Sequence, residues 1–307
     1  VSAPAVIGLD VGGTKVAGGV LSASNELLAR RQRPTIVDGR RDPGLAVTRQ
    51  LAEELIADAA AAGASVEGVG AGFPEYVDPA GRLTSHEVLA WTIQPGELLA
   101  DLGPVTIDSD VRCAALGEGV LGAATGFDSY AFVIVGTGLS YALVEDGRAR
   151  PGARGEAIAL GELEVSRDVD TETTLTLERY ASGEGIRERY VAATGQPVSG
   201  AADVIAAADR GDPTAVAVVD SAARAVGAGL ATLVRILDPG SIVVGGGVST
   251  SGDRWRSAVA ATYSEQASAR TDAPPLRWAT LGSDAGIIGA AIAHRDRLRG
   301  AVRSINA

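Results

Sequence analysis

The chain carries a single cysteine, Cys113, in 307 residues. That excludes a disulfide framework within the chain and a cysteine-rich metal site, and it fits a reducing, cytoplasmic setting. Lysine is equally scarce. Lys15 is the only one, and apart from two histidines every other basic side chain is arginine, which reads as GC-rich coding and says nothing of function. No uninterrupted apolar stretch reaches the length that spans a bilayer; the nearest, around residues 59–62 and 287–293, read as core helices. No charged-then-apolar leader is visible, because the first five residues run uncharged into a strand-like segment. Positive charge is in deficit: the formal net charge is -11, which argues against nucleic acid or a membrane surface as partner, since both are anionic. It does not argue against a nucleotide, because local backbone N–H groups bind phosphate whatever the global charge.

What is present is an alternation of short apolar strands, glycine turns and helical runs. Residues 5–9 and 16–21 read as a hairpin around Gly12, 47–62 as a helix, 66–73 as a buried strand, 105–107 as a short strand and 113–121 as a helix. A second set echoes the first. Residues 130–135 stop at Gly136-Thr137-Gly138, and 139–144 resume as a strand. Helical patterns follow at 177–183, 185–193, 201–208 and 213–237, where Asp238-Pro239-Gly240 ends the run. Residues 241–244 form a strand before Gly245-Gly246-Gly247, and 255–267 and 285–296 are the last helices. No low-complexity linker separates the halves, so two α/β lobes around a cleft are expected.

Four stretches carry candidate chemistry. In Asp10-Val11-Gly12-Gly13-Thr14-Lys15, two glycines permit a tight turn whose N–H groups face an anion. Thr14 adds a hydroxyl and Lys15 a charge, and Asp10 can hold magnesium or its waters. The competing reading is an ordinary hairpin turn. The same two readings apply to Gly136-Thr137-Gly138. Its repetition of the first turn is what a polyphosphate gripped from both sides requires, although neither turn has P-loop spacing. Gly245-Gly246-Gly247 offers a surface without side chains for adenine or ribose, or simply a close-packed strand-to-helix turn. Asp108-Ser109-Asp110, at a strand end before a helix, supplies either a base for phosphoryl transfer or an N-cap.

These motifs resemble those of the ROK (repressor, open reading frame, kinase) family, which includes bacterial glucokinases, fructokinases and N-acetylmannosamine kinases. Residues 10–15 match DxGGTK, and DSDVRCAALGE at 108–118 resembles ENDANAAALGE. Residues 136–138 match GTG, and LERYASG at 177–183 resembles LEAYASG. IVVGGGVS at 242–249 and SDAGIIGAA at 283–291 match the adenosine-side motifs. The resemblance implies an α/β, two-lobed actin-like ATPase (ribonuclease H-like) fold with a central cleft for ATP and Mg2+. The expected lobes are 1–112 plus 292–307 and 113–291. It further implies a homodimer, phosphorylation of a primary 6-type hydroxyl, and Asp110 as the general base that accepts the hydroxyl proton late in a loose transition state.

The departures from the family lie on the substrate side. The Asn before the catalytic Asp is Ser109. The EIGH motif falls on Ala159-Leu160-Gly161-Glu162, so its Glu becomes Ala159 and its His Glu162. An Asn ahead of a Trp falls on Glu87, before Trp91, while the Glu of LEAYASG survives as Glu178. The family's structural zinc uses that His and three cysteines. Residues 169–176 offer neither residue type, so no zinc is expected, and the loop should be held by packing or by Thr171, Thr173 and Thr174. Glu75, Glu87, Asp108 and Glu162 would line an acidic pocket suited to a cationic substrate, an amino sugar of the 3-amino-3-deoxyglucose (kanosamine) type or a C7-cyclitol. Arg112, where the family usually has Asn, would otherwise neutralise those carboxylates from within. His294 reads as structural, and His86 lies in the substrate loop. The competing functions are an ordinary glucokinase, a ligand-binding protein of the same fold without catalysis, and a regulator. Family repressors carry a helix-turn-helix ahead of DxGGTK, and Asp10 stands too near the start for one to be expected here.

Overall fold

The computed structural model describes residues 2–37, 39–42, 45–267 and 272–305, with side chains at all of these except 37, 40, 41 and 300–305. The chain divides into two compact units, residues 1–125 with 147–157 and 283–307, and residues 126–146 with 158–282.

In the first unit, β1 (Ala3–Val11) turns back into β2 (Lys15–Ser22), and β3 (Leu27–Pro34) continues the meander. A two-stranded ribbon of β4 (Ile36–Val37) and β5 (Arg40–Arg41) leads to α1 (Ala46–Ala61). β6 (Ala64–Phe73), the short α2 (Pro95–Leu98), β7 (Val105–Ser109) and α3 (Asp110–Leu121) follow. The sheet order is β3-β2-β1-β6-β7. β1 runs antiparallel to β2 and parallel to β6, and β6 runs parallel to β7. β1, β2 and the second half of β6 are buried almost throughout, as strands covered on both faces must be. Adjacent residues on β2 show which helix covers which face: a Cβ at Gly18 would strike Leu55 of α1, and one at Gly19 would approach Ile287 of the last helix.

In the second unit, β8 (Ser129–Val135) and β9 (Leu139–Glu145) form a hairpin. After the two-residue β10 (Arg148–Ala149, in the first unit) come α4 (Leu177–Ala181), α5 (Gly183–Thr194), α6 (Ala201–Asp209), α7 (Pro213–Leu237), β11 (Ile242–Gly245), α8 (Asp253–Ala267) and β12 (Leu276–Trp278), and the chain then returns to the first unit with α9 (Ala285–Ile305). Within this unit the strands run β9-β8-β11-β12. β8 is antiparallel to β9 and parallel to β11, which is parallel to β12. Each unit thus sets a hairpin beside two parallel strands in the same order, and this repeat is the actin-like ATPase fold. Helix α7 starts at Asp212, whose carboxylate caps Ala215 N–H at 2.8 Å, with Pro213 at the first turn. It is the one described helix long and apolar enough by composition to cross a membrane, although Asp220, Arg224 and Arg235 interrupt it, and its apolar side chains fill the second unit's core.

The first unit extends further than the boundaries expected at 112 and 292, because α3 and the start of α9 pack on each other through glycine. A Cβ at Gly289 would lie 1.6 Å from the Cys113 carbonyl oxygen, and one at Gly117 would lie 2.3 Å from that of Ala285. On the sheet side, Gly8 and Gly70 are cross-strand partners, and each leaves room for a carbonyl of α9 that a Cβ would meet at 1.9 Å.

Candidate functional site

Two carboxylates in the first unit stand where strands end. Asp10 is the last residue but one of β1, and Asp110 opens α3 directly after β7. Both sit against glycine: a Cβ at Gly286 would come 2.6 Å from Asp10 Cγ, and one at Gly72 would come 3.1 Å from Asp110 Cα. Burial pushes the Asp110 carboxyl up to about 7. The negative charge of Asp10 adds to the rise, and the Val111 N–H and Arg112 oppose it. Burial likewise lifts Asp10 to about 6 against the pull of Lys15 and Arg30. Taking charged groups out of water favours their neutral form, so Asp110 titrates near neutrality, where a base can both hold and release a proton.

Ser109 is fully buried, and its hydroxyl caps α3 by accepting from the Arg112 N–H. The hydroxyl expected to grip a sugar is thus engaged in capping the helix. Of the two readings of this stretch, the cap falls on Ser109, and Asp110 is the first helical residue. The alternative raised for Arg112 also holds. Its side chain is 1% exposed and pairs with Asp108 through Nε, while its terminal nitrogens donate to the Gly155 and Val77 carbonyls at 3.1 and 2.8 Å. Asp108 is thus neutralised within the protein. Arg112→Met keeps the bulk but strands two buried carbonyls, and it should lower unfolding stability by about 2 kcal/mol, read from denaturant titration.

Glu75 is also corrected. It is buried at 3% exposure, and its carboxylate accepts from Ser85 Oγ at 2.5 Å and from the N–H groups of Glu87, Val88 and Leu89 at 2.7, 2.9 and 2.8 Å. Every acceptor direction is taken from within the chain, so none is left for a substrate. Glu87 itself is exposed. His86 stacks on Trp91, with centroids 4.2 Å apart and planes 12° apart, and Trp91 Nε1 donates to the Ser85 carbonyl at 2.8 Å.

The two glycine turns are built alike. Gly12 N–H donates to the Lys15 carbonyl, and Gly136 N–H to that of Gly138, each at 2.9 Å. The first glycine of each turn therefore closes it and is not a phosphate donor, leaving Gly13, Thr14 and Lys15 in one turn and Thr137 in the other as the groups facing outward. Thr14, Lys15 and Thr137 are exposed. In the second unit, Glu178 accepts from Leu139 N–H at 2.7 Å. A Cβ at Gly138 would meet its carboxylate at 2.6 Å. Glu178 thus braces the turn, and the Gly136 carbonyl accepts from the N–H of Gly183, which opens α5. Gly245 and Gly246 are packing residues: a Cβ at Gly246, whose φ is 92°, would fall 2.3 Å from the Val135 carbonyl oxygen, and one at Gly245 would touch Phe132. Gly247 has nothing within 4 Å of its Cβ direction, so the flat approach expected of the triplet is left to this residue. Glu162 is exposed at the end of a short 3-10 turn.

The 163–176 loop is held mainly by Asp170, which was not anticipated. Its carboxylate accepts from Glu172 and Thr173 N–H and from Tyr180 Oη at 2.9 Å, and Arg189 lies 3.6 Å over the Tyr180 ring. Of the three threonines expected to act, Thr173 accepts from Leu175 N–H and Thr171 donates to the neighbouring Glu172 carboxylate at 3.4 Å. Also missed were Thr35 and Asp42. Thr35 Oγ1 donates to the Gly12 carbonyl at 2.8 Å. Asp42 is buried and accepts from Thr48 Oγ1 and the Val47 and Thr48 N–H groups, so the first turn is tied to the start of α1. An Asp ahead of a helical run is a capping signal that could have found Asp42. In the 283–291 motif, matched to the adenosine side, Gly286 packs on Asp10 and Asp284 pairs with Arg30 at 2.7 Å.

A family model described as ROK family matches residues 6–297. A glucokinase of Halalkalibacterium halodurans is 31% identical over 310 residues, covering 92% of each chain. Among solved structures, a ROK hexokinase from Thermus thermophilus superposes with a TM-score of 0.84 at 33% identity, covering 96% of this chain and 99% of that one. A ROK family glucokinase from Streptomyces griseus, solved in complex with glucose and AMPPNP, gives 0.78 at 29% identity and covers 95% and 99%.

Proposed function

Since the chain belongs to the ROK family, we propose that it is an ATP-dependent sugar kinase in which Asp110 is the general base. The observation that carries this reading is the placement of the half-buried Asp110 as the first residue of α3, directly after β7 and packed against Gly72, where desolvation lifts its carboxyl to about 7. ATP with magnesium supplies the phosphoryl group and neutralises its charge. The residues fit both. Asp10 is an oxygen donor half removed from water, and magnesium takes one or two protein carboxylates together with phosphate oxygens. Thr14, Lys15 and Thr137 are exposed donors on glycine turns, and Gly247 leaves its backbone open to a flat base. In the reaction the substrate hydroxyl oxygen bonds to the terminal phosphorus and the bond to the ADP oxygen breaks. Asp110 takes the hydroxyl proton as the oxygen loses its basicity.

The substrate is a hexose, and the free carboxylate of Glu87 favours one bearing an ammonium group. Glu75 and Asp108 are committed within the protein, whereas Glu87 is exposed and its carboxylate has no hydrogen bond or ion pair among the described residues. A charge-assisted hydrogen bond is worth about 1.5–3 kcal/mol. A 3-amino-3-deoxyhexose should therefore exceed glucose in kcat/KM by about 10–100-fold, and Glu87→Gln should erase the difference. ADP release over amino sugars, N-acetyl sugars, cyclitols and glucose tests this. Preference for glucose, indifferent to Glu87→Gln, would make the protein an ordinary glucokinase. ATP binding without turnover of any sugar would favour a binding protein.

A further inference from the structure

We propose that Glu75 is the positioning residue of the sugar-recognition segment: it folds residues 85–91 around its own carboxylate and so fixes where Glu87 and the His86–Trp91 pair stand. The proposal rests on the kinase reading for what the segment recognises, but not for how the segment is held. Glu75 lies two residues beyond β6. A carboxylate almost excluded from water requires donors, and here four converge from one short stretch: the Ser85 hydroxyl and the N–H groups of residues 87, 88 and 89. Three successive N–H groups aimed at one anion make a nest, a backbone shape that collapses without the charge it encloses. The carboxylate does more than tie the ends. Ser85 also donates through Oγ to Glu75 and accepts on Oγ from Tyr76 N–H at 2.9 Å, and its carbonyl takes the Trp91 indole N–H. Pulling the Ser85 end inward therefore orients Trp91, on which His86 is stacked, while the Glu87 N–H is held in the nest and the Glu87 side chain stays exposed. The segment has no regular secondary structure of its own apart from this anchor. Its shape is thus set by a side chain from the sheet and not by local propensity. A merely structural carboxylate would need no such match between one anion and the segment that carries the exposed ionisable groups.

The test is Glu75→Gln, which keeps the volume but turns two of the four acceptor positions into a donor facing a donor. The sugar KM should rise at least about tenfold, the loss of one charged hydrogen bond, while kcat and the KM for ATP change less than about threefold. The Trp91 contribution to fluorescence, obtained by difference against Trp91→Phe in both backgrounds, should shift. Ser85→Ala, which removes one of the four donors together with the acceptor of the Tyr76 N–H, should raise the sugar KM about threefold and serves if Glu75→Gln does not fold. An unchanged sugar KM in Ser85→Ala and Glu75→Gln, with a wild-type enzyme that turns over, would overturn the proposal. So would equal losses in kcat, sugar KM and ATP KM, which mark a general loss of structure. If the wild type phosphorylates no sugar, the kinase reading fails on its own. In that case the Trp91 signal still decides, and an unshifted emission in Glu75→Gln overturns the positioning role.

Discussion

Asp110→Asn should lower kcat by about 10²–10⁴-fold with little change in the sugar KM, because general-base assistance acts in the transition state. The substitution is close to isosteric. Asp110 Oδ1 accepts from its neighbour's N–H, that of Val111, at 2.7 Å, and the Asn carbonyl preserves this bond. The lost function is therefore proton acceptance and not the shape of the helix start. The pH dependence gives a second, independent reading. With its carboxyl lifted to about 7, Asp110 is largely protonated at pH 6, so wild-type kcat/KM should climb through pH 7 and level off above it, and the variant should lose that rise. Stability must move in the opposite sense. A carboxyl whose folded pKa exceeds its ordinary 3.8 binds a proton more readily in the folded state. Its contribution is fully present below 3.8 and is lost as pH rises through about 7. Asn carries no such dependence. Asp110→Asn should accordingly melt higher than the wild type at pH 8 and nearly level with it at pH 4, the signature of a site held against the fold's own preference. Full turnover by the variant at pH 8 would remove Asp110 from the role of base.

The parts of the fold that were legible in the sequence were those whose burial imposes a pattern. β1, β2 and β8 are apolar almost residue by residue because both faces are covered, and β1 and β8 each run into a glycine turn. The long apolar face of α7 and its Asp-Pro start are equally plain. β3 was not legible. Its sequence, LLARRQRP, lies mostly exposed at a sheet edge. Its arginines are satisfied by Asp58, Glu54 and Asp284, which are distant in the chain, so no alternation marks it. The site divided in the same way. Asp10, Asp110 and the glycine turns announced themselves by position at strand ends. What each acidic side chain does was hidden, because the partners of Glu75 lie ten to fourteen residues on, and those of Arg112 in residues 77 and 155. Charge counted along a sequence does not reveal which carboxylates are already occupied. The expected acidic pocket overcounted for that reason, with Glu75 and Asp108 both consumed internally.

Gly289→Ala presents two effects of opposite sign, and their magnitudes decide. Gly289 lies inside α9, where alanine is intrinsically better than glycine by about 0.8–1 kcal/mol. Helix propensity alone therefore predicts stabilisation. The added Cβ, however, would fall 1.6 Å from the Cys113 carbonyl oxygen and 2.8 Å from the Gly117 nitrogen. Both are backbone atoms of α3, and no rotamer change moves them. Relief requires α3 and α9 to separate, and the same crossing seats Gly117 on the Ala285 carbonyl and Gly286 on Asp10. Overpacking of this kind costs about 3 kcal/mol, which outweighs the propensity gain. A net loss of about 2 kcal/mol or more is expected in denaturant unfolding. Gly229 in α7 is the control. A Cβ there would meet only Leu177 Cδ2, at 2.9 Å, the far end of a side chain that can turn away, so Gly229→Ala should be close to neutral. Because the crossing carries Gly286 against Asp10 and the first residue of α3 is Asp110, Gly289→Ala should also depress kcat more than a control matched for stability. A variant that melts at or above the wild type would show that α3 and α9 are not held at backbone contact, and with them the seat of both carboxylates would have to be redrawn.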